Sequence, residues 1–159
     1  MKVKIICVGK IKEKYLSDGI SEYSKRLSRF CKFEVCELAD EKIPDNTTEK
    51  EMQIVLETEG ERIEKHIGKN DYVIALCVEG KSISSIDFAK KISDIVLSGK
   101  SEITFIIGGS LGICDSVKNK ADFLLSFSKM TFPHNLMRLI LAEQIYRVFK
   151  INANEEYHK

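Results

Sequence analysis

Ile103-Thr104-Phe105-Ile106-Ile107-Gly108-Gly109-Ser110-Leu111-Gly112 is the stretch whose reading decides the fold. Five residues of almost unbroken apolar character end in three glycines within five positions. An uninterrupted apolar run of this length fits a strand covered on both faces, as in a parallel sheet. Glycines directly after it let the backbone turn sharply or lie against a ligand with no Cβ between. A second such junction follows. Leu125-Ser126 ends a short apolar run, Phe127-Ser128-Lys129-Met130-Thr131-Phe132-Pro133-His134 forms a polar and aromatic loop, and a long apolar helix begins. Loops at strand C-termini are where open α/β sheets bind ligands.

The rest of the chain alternates in the same way. Lys2 to Val8 reads as a strand that Gly9 ends. Leu16, Ile20, Tyr23, Leu27 and Phe30 recur at helical spacing, which predicts a helix from about Lys14 to Arg29, weakened a little at Gly19. Phe33 to Leu38 reads as a short second strand. Thr48 with Glu51 three residues on is a capping-box pattern, opening a charged helix to about His66 with Met52, Val55, Leu56 and Ile63 on one side. Asp71 to Val78 is a buried strand, with Glu79-Gly80-Lys81 as the turn after it. Ser84 or Ser85 caps a helix from Ile86 to Leu97 that Gly99 stops. Cys114 to Asn119 forms a short helix and Asp122 to Ser126 a strand. The expectation is one domain over residues 1–159, with an open, mostly parallel sheet of five to six strands and helices on both faces. Strands ending near Leu76, Ile107 and Ser126 would release their loops on one side. They would line one pocket from Leu76 to Gly80, Gly108 to Gly112 and Phe127 to Phe132.

Composition narrows the function. The chain has 159 residues, 43% hydrophobic and 31% charged, as expected of a globular domain. No run approaches a membrane span and no signal-peptide pattern opens the chain, so a cytoplasmic protein is expected. The net charge of +1 argues against strong non-specific nucleic-acid binding, although Lys10 to Lys14, Lys25 to Lys32 and the region from Arg147 concentrate cations. Five cysteines, an odd count with no Cys-x-x-Cys, predict reduced thiols, and the scattered histidines predict no metal site.

The glycine loop excludes several ligands. No Gly-x-Gly-x-x-Gly follows the first strand, and no Gly-Lys-Ser/Thr is present. The serine in Gly108-Gly109-Ser110-Leu111-Gly112 is not centred between glycines as a hydrolase elbow requires. An adenosyl ligand suits a pocket of backbone amides with apolar side chains such as Leu76, Leu111 and Met130.

Phe105-Ile106-Ile107-Gly108-Gly109, the run Leu125 to His134, Arg138, Glu143-Gln144-Ile145-Tyr146-Arg147 and the terminal Tyr157-His158-Lys159 resemble one family. Val8-Gly9-Lys10, Glu22-Tyr23 and Lys25-Arg26-Leu27 extend the likeness to the N-terminus. The family is the ribosomal RNA large subunit methyltransferase H family (RlmH) of the SPOUT superfamily. The resemblance implies a C-terminal trefoil knot and S-adenosyl-L-methionine as cofactor. It implies methylation of N3 of a pseudouridine in the helix 69 stem-loop of 23S ribosomal RNA, on the assembled ribosome. By the same resemblance Leu76, Gly108, Phe127, Ser128, Lys129, Met130, Thr131 and Phe132 are the cofactor contacts. His134 and His158 are candidates for proton handling, Arg138 for holding a phosphate or carbonyl, and Tyr157 for stacking on a base. Glu155-Glu156 before the tyrosine and Ser110-Leu111 in the glycine loop depart from the family's common forms. The competing reading is a non-catalytic α/β protein that binds RNA or ribosomes.

Two further expectations concern assembly. The apolar residues of the last helix exceed one core-facing stripe, which predicts a homodimer. The polar tail from Asn152, with too few apolar residues for its own core to hold, is expected to reach the partner's pocket. Gly108 is expected to adjoin ligand, so that a side chain there intrudes on the cofactor and not on the fold.

Overall fold

The structure, a computed structural model, describes residues 1–157. Five strands, β1 (Lys2–Val8), β2 (Lys32–Leu38), β3 (Tyr72–Ser82), β4 (Glu102–Ile107) and β5 (Phe123–Ser126), form one sheet in the order β2-β1-β4-β3-β5. All four neighbouring pairs are parallel. Five helices connect and follow them: α1 (Lys14–Leu27), α2 (Glu49–Glu64), α3 (Ser85–Leu97), α4 (Asp115–Lys120) and α5 (His134–Asn152).

Alternation along the strands divides the core in two. Val3, Ile5, Cys7, Ile103, Phe105 and Ile107 face one side, where they meet Leu27 of α1, Phe88 and Ile92 of α3, and Leu141, Ile145 and Val148 of α5. Ile6, Val8, Ile106, Val73 and Ala75 face the other, against Ile63 of α2 and Val117 of α4. β1 from Ile5 to Val8 and β4 from Phe105 to Ile107 are therefore buried on both faces, which explains why those stretches are uninterrupted apolar.

The helix ends follow local chemistry. Thr48 and Glu51 close the capping box, with Glu51 N donating to Thr48 Oγ1 at 3.3 Å and Thr48 N to Glu51 Oε2 at 2.7 Å. Ser84, not Ser85, caps α3 by accepting from Asp87 N at 3.1 Å. Gly19 has a packing reason: a Cβ there would come within 2.9 Å of Leu139 Cδ1, so the bare backbone lets α1 and α5 approach.

β3 corrects one expectation. Glu79-Gly80-Lys81 is not a turn; the strand runs on to Ser82, and its register against β5 shifts between Leu76 and Lys81, both opposite Leu125. The intervening residues bulge outward. Gly80 allows this because a Cβ there would lie 2.7 Å from the main-chain carbon of Leu125. The bulge carries Cys77, Val78 and Glu79 to the C-terminal edge of the sheet.

α5 lies between α1 and α3, which cover much of the apolar surface that a single stripe could not account for. The tail after it is held more closely than its composition suggested. The Tyr157 ring meets Tyr146 edge-on at 5.0 Å, Arg147 stacks over it at 4.8 Å, and its hydroxyl donates to Glu143 Oε1 at 3.2 Å. Aromatic and cationic contacts on the tail's own helix thus supply what apolar residues do not. Among the described residues, no helix is long and apolar enough to cross a membrane.

Candidate functional site

β4, β3 and β5 lie side by side, and their C-terminal loops converge. Between them is a cavity of about 690 Å³, within the range of small-molecule sites. Its walls are Leu76 to Glu79 from the β3 bulge, Ile107 to Ile113 from the glycine loop, Phe127, Ser128 and Met130 to Pro133 from the last loop, and His134 and Met137 from α5.

The glycine loop is a tight turn. Gly112 N donates to Gly109 O at 3.0 Å, and Gly112 has a φ of +86°. A Cβ at Gly108 would lie 2.1 Å from Gly112 O and 2.4 Å from Gly112 C. The absence of a side chain at Gly108 is therefore required by the loop's own backbone, and the expectation that a side chain there would intrude only on ligand is corrected. Gly112 is the open position: a Cβ there would meet nothing within 4 Å.

The third wall is braced from within. Ser126 Oγ donates to Ser128 O at 3.0 Å, and Met130 N donates to Ser128 Oγ at 3.0 Å. Pro133 then caps α5, fixing where His134 begins the helix. Met130 is 73% exposed at the cavity rim, and Phe132 is also exposed. Lys129 is exposed and lies outside the lining.

His134 is half-buried in the cavity wall. Burial and then the nearby Arg138 cation hold its pKa below the ordinary value, against the opposing pull of Asp40 and Glu13. Arg138 is fully buried and does not line the cavity. Its Nη2 donates to Val8 O at 2.6 Å and Gly9 O at 3.0 Å, and its Nη1 to Glu37 Oε1 at 3.0 Å. Its guanidinium is occupied by the protein itself. Tyr157 sits on the second half of α5, and His158 lies outside the described residues. From His134 to Tyr146, against which Tyr157 packs, is on the order of 18 Å along the helix.

Two features escaped the sequence reading, the Lys118–Glu79 pair and the buried Glu59. Lys118 of α4 reaches the cavity wall and pairs with Glu79 of the bulge at 2.5 Å, which raises the lysine's pKa and lowers the carboxylate's. Cys77, inside the span from Leu76 to Gly80 expected to line the pocket, does line it, its thiol pushed up by burial. Glu59 of α2 is buried behind the glycine loop, where a Cβ on Gly109 would come within 3.0 Å of Glu59 Oε2. Burial raises the pKa of Glu59, while its other oxygen accepts from Glu41 N at 3.0 Å. A signal for Glu59 existed: it falls on the helical face that carries Met52, Leu56 and Ile63.

The cavity fits an adenosyl cofactor by its donor chemistry. It offers apolar walls at Leu76, Ile107 and Phe127, main-chain groups of a glycine turn, and open space at Gly112. Among the described residues, no group of three or more His, Cys, Asp or Glu is placed to hold a metal ion.

Comparison with known proteins gives the family. The family described as "Predicted SPOUT methyltransferase" matches residues 1–158. The chain is 58% identical to "Ribosomal RNA large subunit methyltransferase H" of Streptococcus uberis over 159 residues, covering 100% of both chains. It is also 58% identical, again over 100% of both, to the protein of the same name from Clostridium novyi. A solved structure, of a probable methylase family protein from Haemophilus influenzae, superposes with a TM-score of 0.52 at 14% identity. That match covers 99% of this chain and 70% of the other, and shows the fold alone. With the family and its full-length relatives in agreement, the chain belongs to the SPOUT methyltransferase family, among the ribosomal RNA large subunit methyltransferase H proteins.

Proposed function

We propose that this chain, as one domain, methylates large-subunit ribosomal RNA in the cytoplasm, using S-adenosyl-L-methionine. The target we infer is N3 of a pseudouridine in the helix 69 stem-loop of 23S ribosomal RNA. The observation that carries the reading is the cavity at the ends of β3, β4 and β5, in a chain matched end to end by relatives named as large-subunit ribosomal RNA methyltransferases.

Bound S-adenosyl-L-methionine supplies a methyl group already activated by its sulfonium. The chain's residues have to hold, align and deprotonate. Leu76, Phe127, Met130 and Phe132 provide the apolar enclosure, and Gly108 keeps the loop tight enough to close it. Ser128 holds the last loop in shape, and Thr131 adds a hydroxyl to the wall. His134, with its pKa lowered, is neutral at physiological pH and takes the N3 proton.

The proposed unit is a homodimer. Met130 and Phe132 leave apolar surface exposed beside the cavity, and a two-fold partner would cover it. The partner's tail would then bring Tyr157 and His158 to the base, with Tyr157 stacking on it and Lys129 near the RNA backbone.

The test is to incubate purified chain with unmodified ribosomes and the cofactor, then analyse the RNA nucleosides by mass spectrometry. A methylated pseudouridine in helix 69 is expected. Ribosome binding with no methyl transfer and no cofactor binding would instead identify a non-catalytic binding protein.

A further inference from the structure

Arg138 is the largest side chain with no exposure at all. A guanidinium is buried at such cost only where the fold pairs it. Its partners are two main-chain carbonyls at the end of β1 and the Glu37 carboxylate near the end of β2. Glu37 Oε1 also accepts from Ile11 N at 3.0 Å, so the same group fixes the loop after β1. Among the described residues, Arg138 Nε has no hydrogen-bond partner. One helical turn earlier stands His134, which does line the cavity. The two side chains converge on one residue: a Cβ at Gly9 would lie 3.6 Å from both Arg138 Nη2 and His134 Nε2.

We propose that Arg138 is a positioning residue for methyl transfer: its guanidinium ties the first turn of α5 to the ends of β1 and β2 and so sets the His134 imidazole in the cavity wall. The proposal rests on the role given to His134 under the proposed function. The charges facing that imidazole are Arg138 from α5, Asp40 from the loop after β2 and Glu13 at the start of α1. Arg138 opposes the two carboxylates, and the partly positive N-terminal end of α5 acts in the same direction. Both keep the ring neutral and able to accept a proton. A lysine would keep the charge but not the fork that reaches two carbonyls and a carboxylate together.

The experiment is an NMR pH titration of the histidine side chains in the full chain, with His134→Gln used to identify the His134 signal. Folding of each variant is checked by circular dichroism. In Arg138→Met the His134 ring is expected to titrate at a higher pH than in the wild type. In Arg138→Lys it is expected to titrate as in the wild type, while kcat on ribosomes falls about a hundredfold with unchanged cofactor affinity. An unchanged His134 titration in folded Arg138→Met overturns the proposal. If Arg138→Met does not fold, Arg138→Lys decides, and a wild-type kcat in that variant overturns it. The titration needs no ribosomes, so an inactive wild-type chain would refute the proposed function and leave the Arg138–His134 coupling to be judged by the titration.

Discussion

The Cβ that Gly108 lacks would fall 2.1 Å from the carbonyl oxygen of Gly112, closer than any real side chain lies to main chain. Gly108→Ala is therefore expected to destabilise the chain by about 3 kcal/mol or more, because both colliding groups are backbone. Gly112→Ala meets open space and has only its φ of +86° against it, so about 1–2 kcal/mol is expected. Urea unfolding of the two variants checks the order. Equal stabilities would mean that the loop relaxes freely and that Gly108 serves the ligand alone.

The Asp71 carboxylate gives a stability prediction at the other end of the sheet. Burial alone would raise its pKa, but the Thr104 hydroxyl at 2.5 Å, Gly68 N at 2.8 Å and Lys4 Nζ at 3.3 Å outweigh burial and lower it. A lowered folded pKa contributes stability that is complete above the unfolded value and lost as pH falls through the folded one. Asp71→Asn is expected to cost about 2 kcal/mol at pH 7. The gap to the wild type should narrow only below the carboxyl's ordinary 3.8. Urea midpoints at neutral pH and at about pH 3 measure it. A gap independent of pH would assign the loss to packing.

Much of this fold was legible because the deciding signals are local. The stretches Ile5 to Val8, Val73 to Leu76 and Phe105 to Ile107 carry no polar residue because helices cover both sheet faces. Thr48–Glu51 and Gly99 announced helix ends through their own hydrogen bonds and φ angle. The strand order was not legible, since parallel neighbours are joined only through distant crossovers. Gly80 misled because glycine after a strand also means a turn, and only the backbone of β5, more than forty residues on, makes it a bulge.

The site was legible as loops and less so as side chains. The convergence of three strand ends followed from the parallel sheet. By sequence Arg138 reads as a substrate group, because one turn past His134 places it on the same helix face. The carbonyls that claim it, at Val8 and Gly9, lie 130 and 129 residues away in sequence. Lys118 gave no signal, because its partner Glu79 belongs to a bulge that periodicity does not show.

The proton-acceptor role proposed for His134 predicts the pH dependence of methylation. Its folded pKa lies below the ordinary 6.5, so the neutral ring persists below that pH. The methylation rate is expected to hold as pH drops through 6.5 and to fall only as pH passes the lowered value. His134→Gln should reduce kcat about a hundredfold or more and abolish this acid limb. A pH–rate profile of both proteins on ribosomes is the measurement. The same limb in an active His134→Gln chain would exclude His134 as the proton acceptor.

The tail tests whether one site is built from two protomers. Tyr157 packs on α5 through Tyr146, Arg147 and Glu143, on the order of 18 Å along that helix from its own His134. A tail held there serves a neighbouring copy more readily than its own cavity. Light scattering at micromolar concentration is expected to give a dimer, and a monomer mass would end the argument. Deleting residues 157–159 should leave dimer mass and cofactor binding nearly unchanged while removing methylation. His134→Gln should fail in the complementary way, with an intact tail and no proton acceptor. After mixing and exchange, half the dimers are mixed and each carries one complete site, so roughly a quarter of the wild-type rate should return. No recovery between two folded, exchanging variants would place tail and cavity in the same protomer.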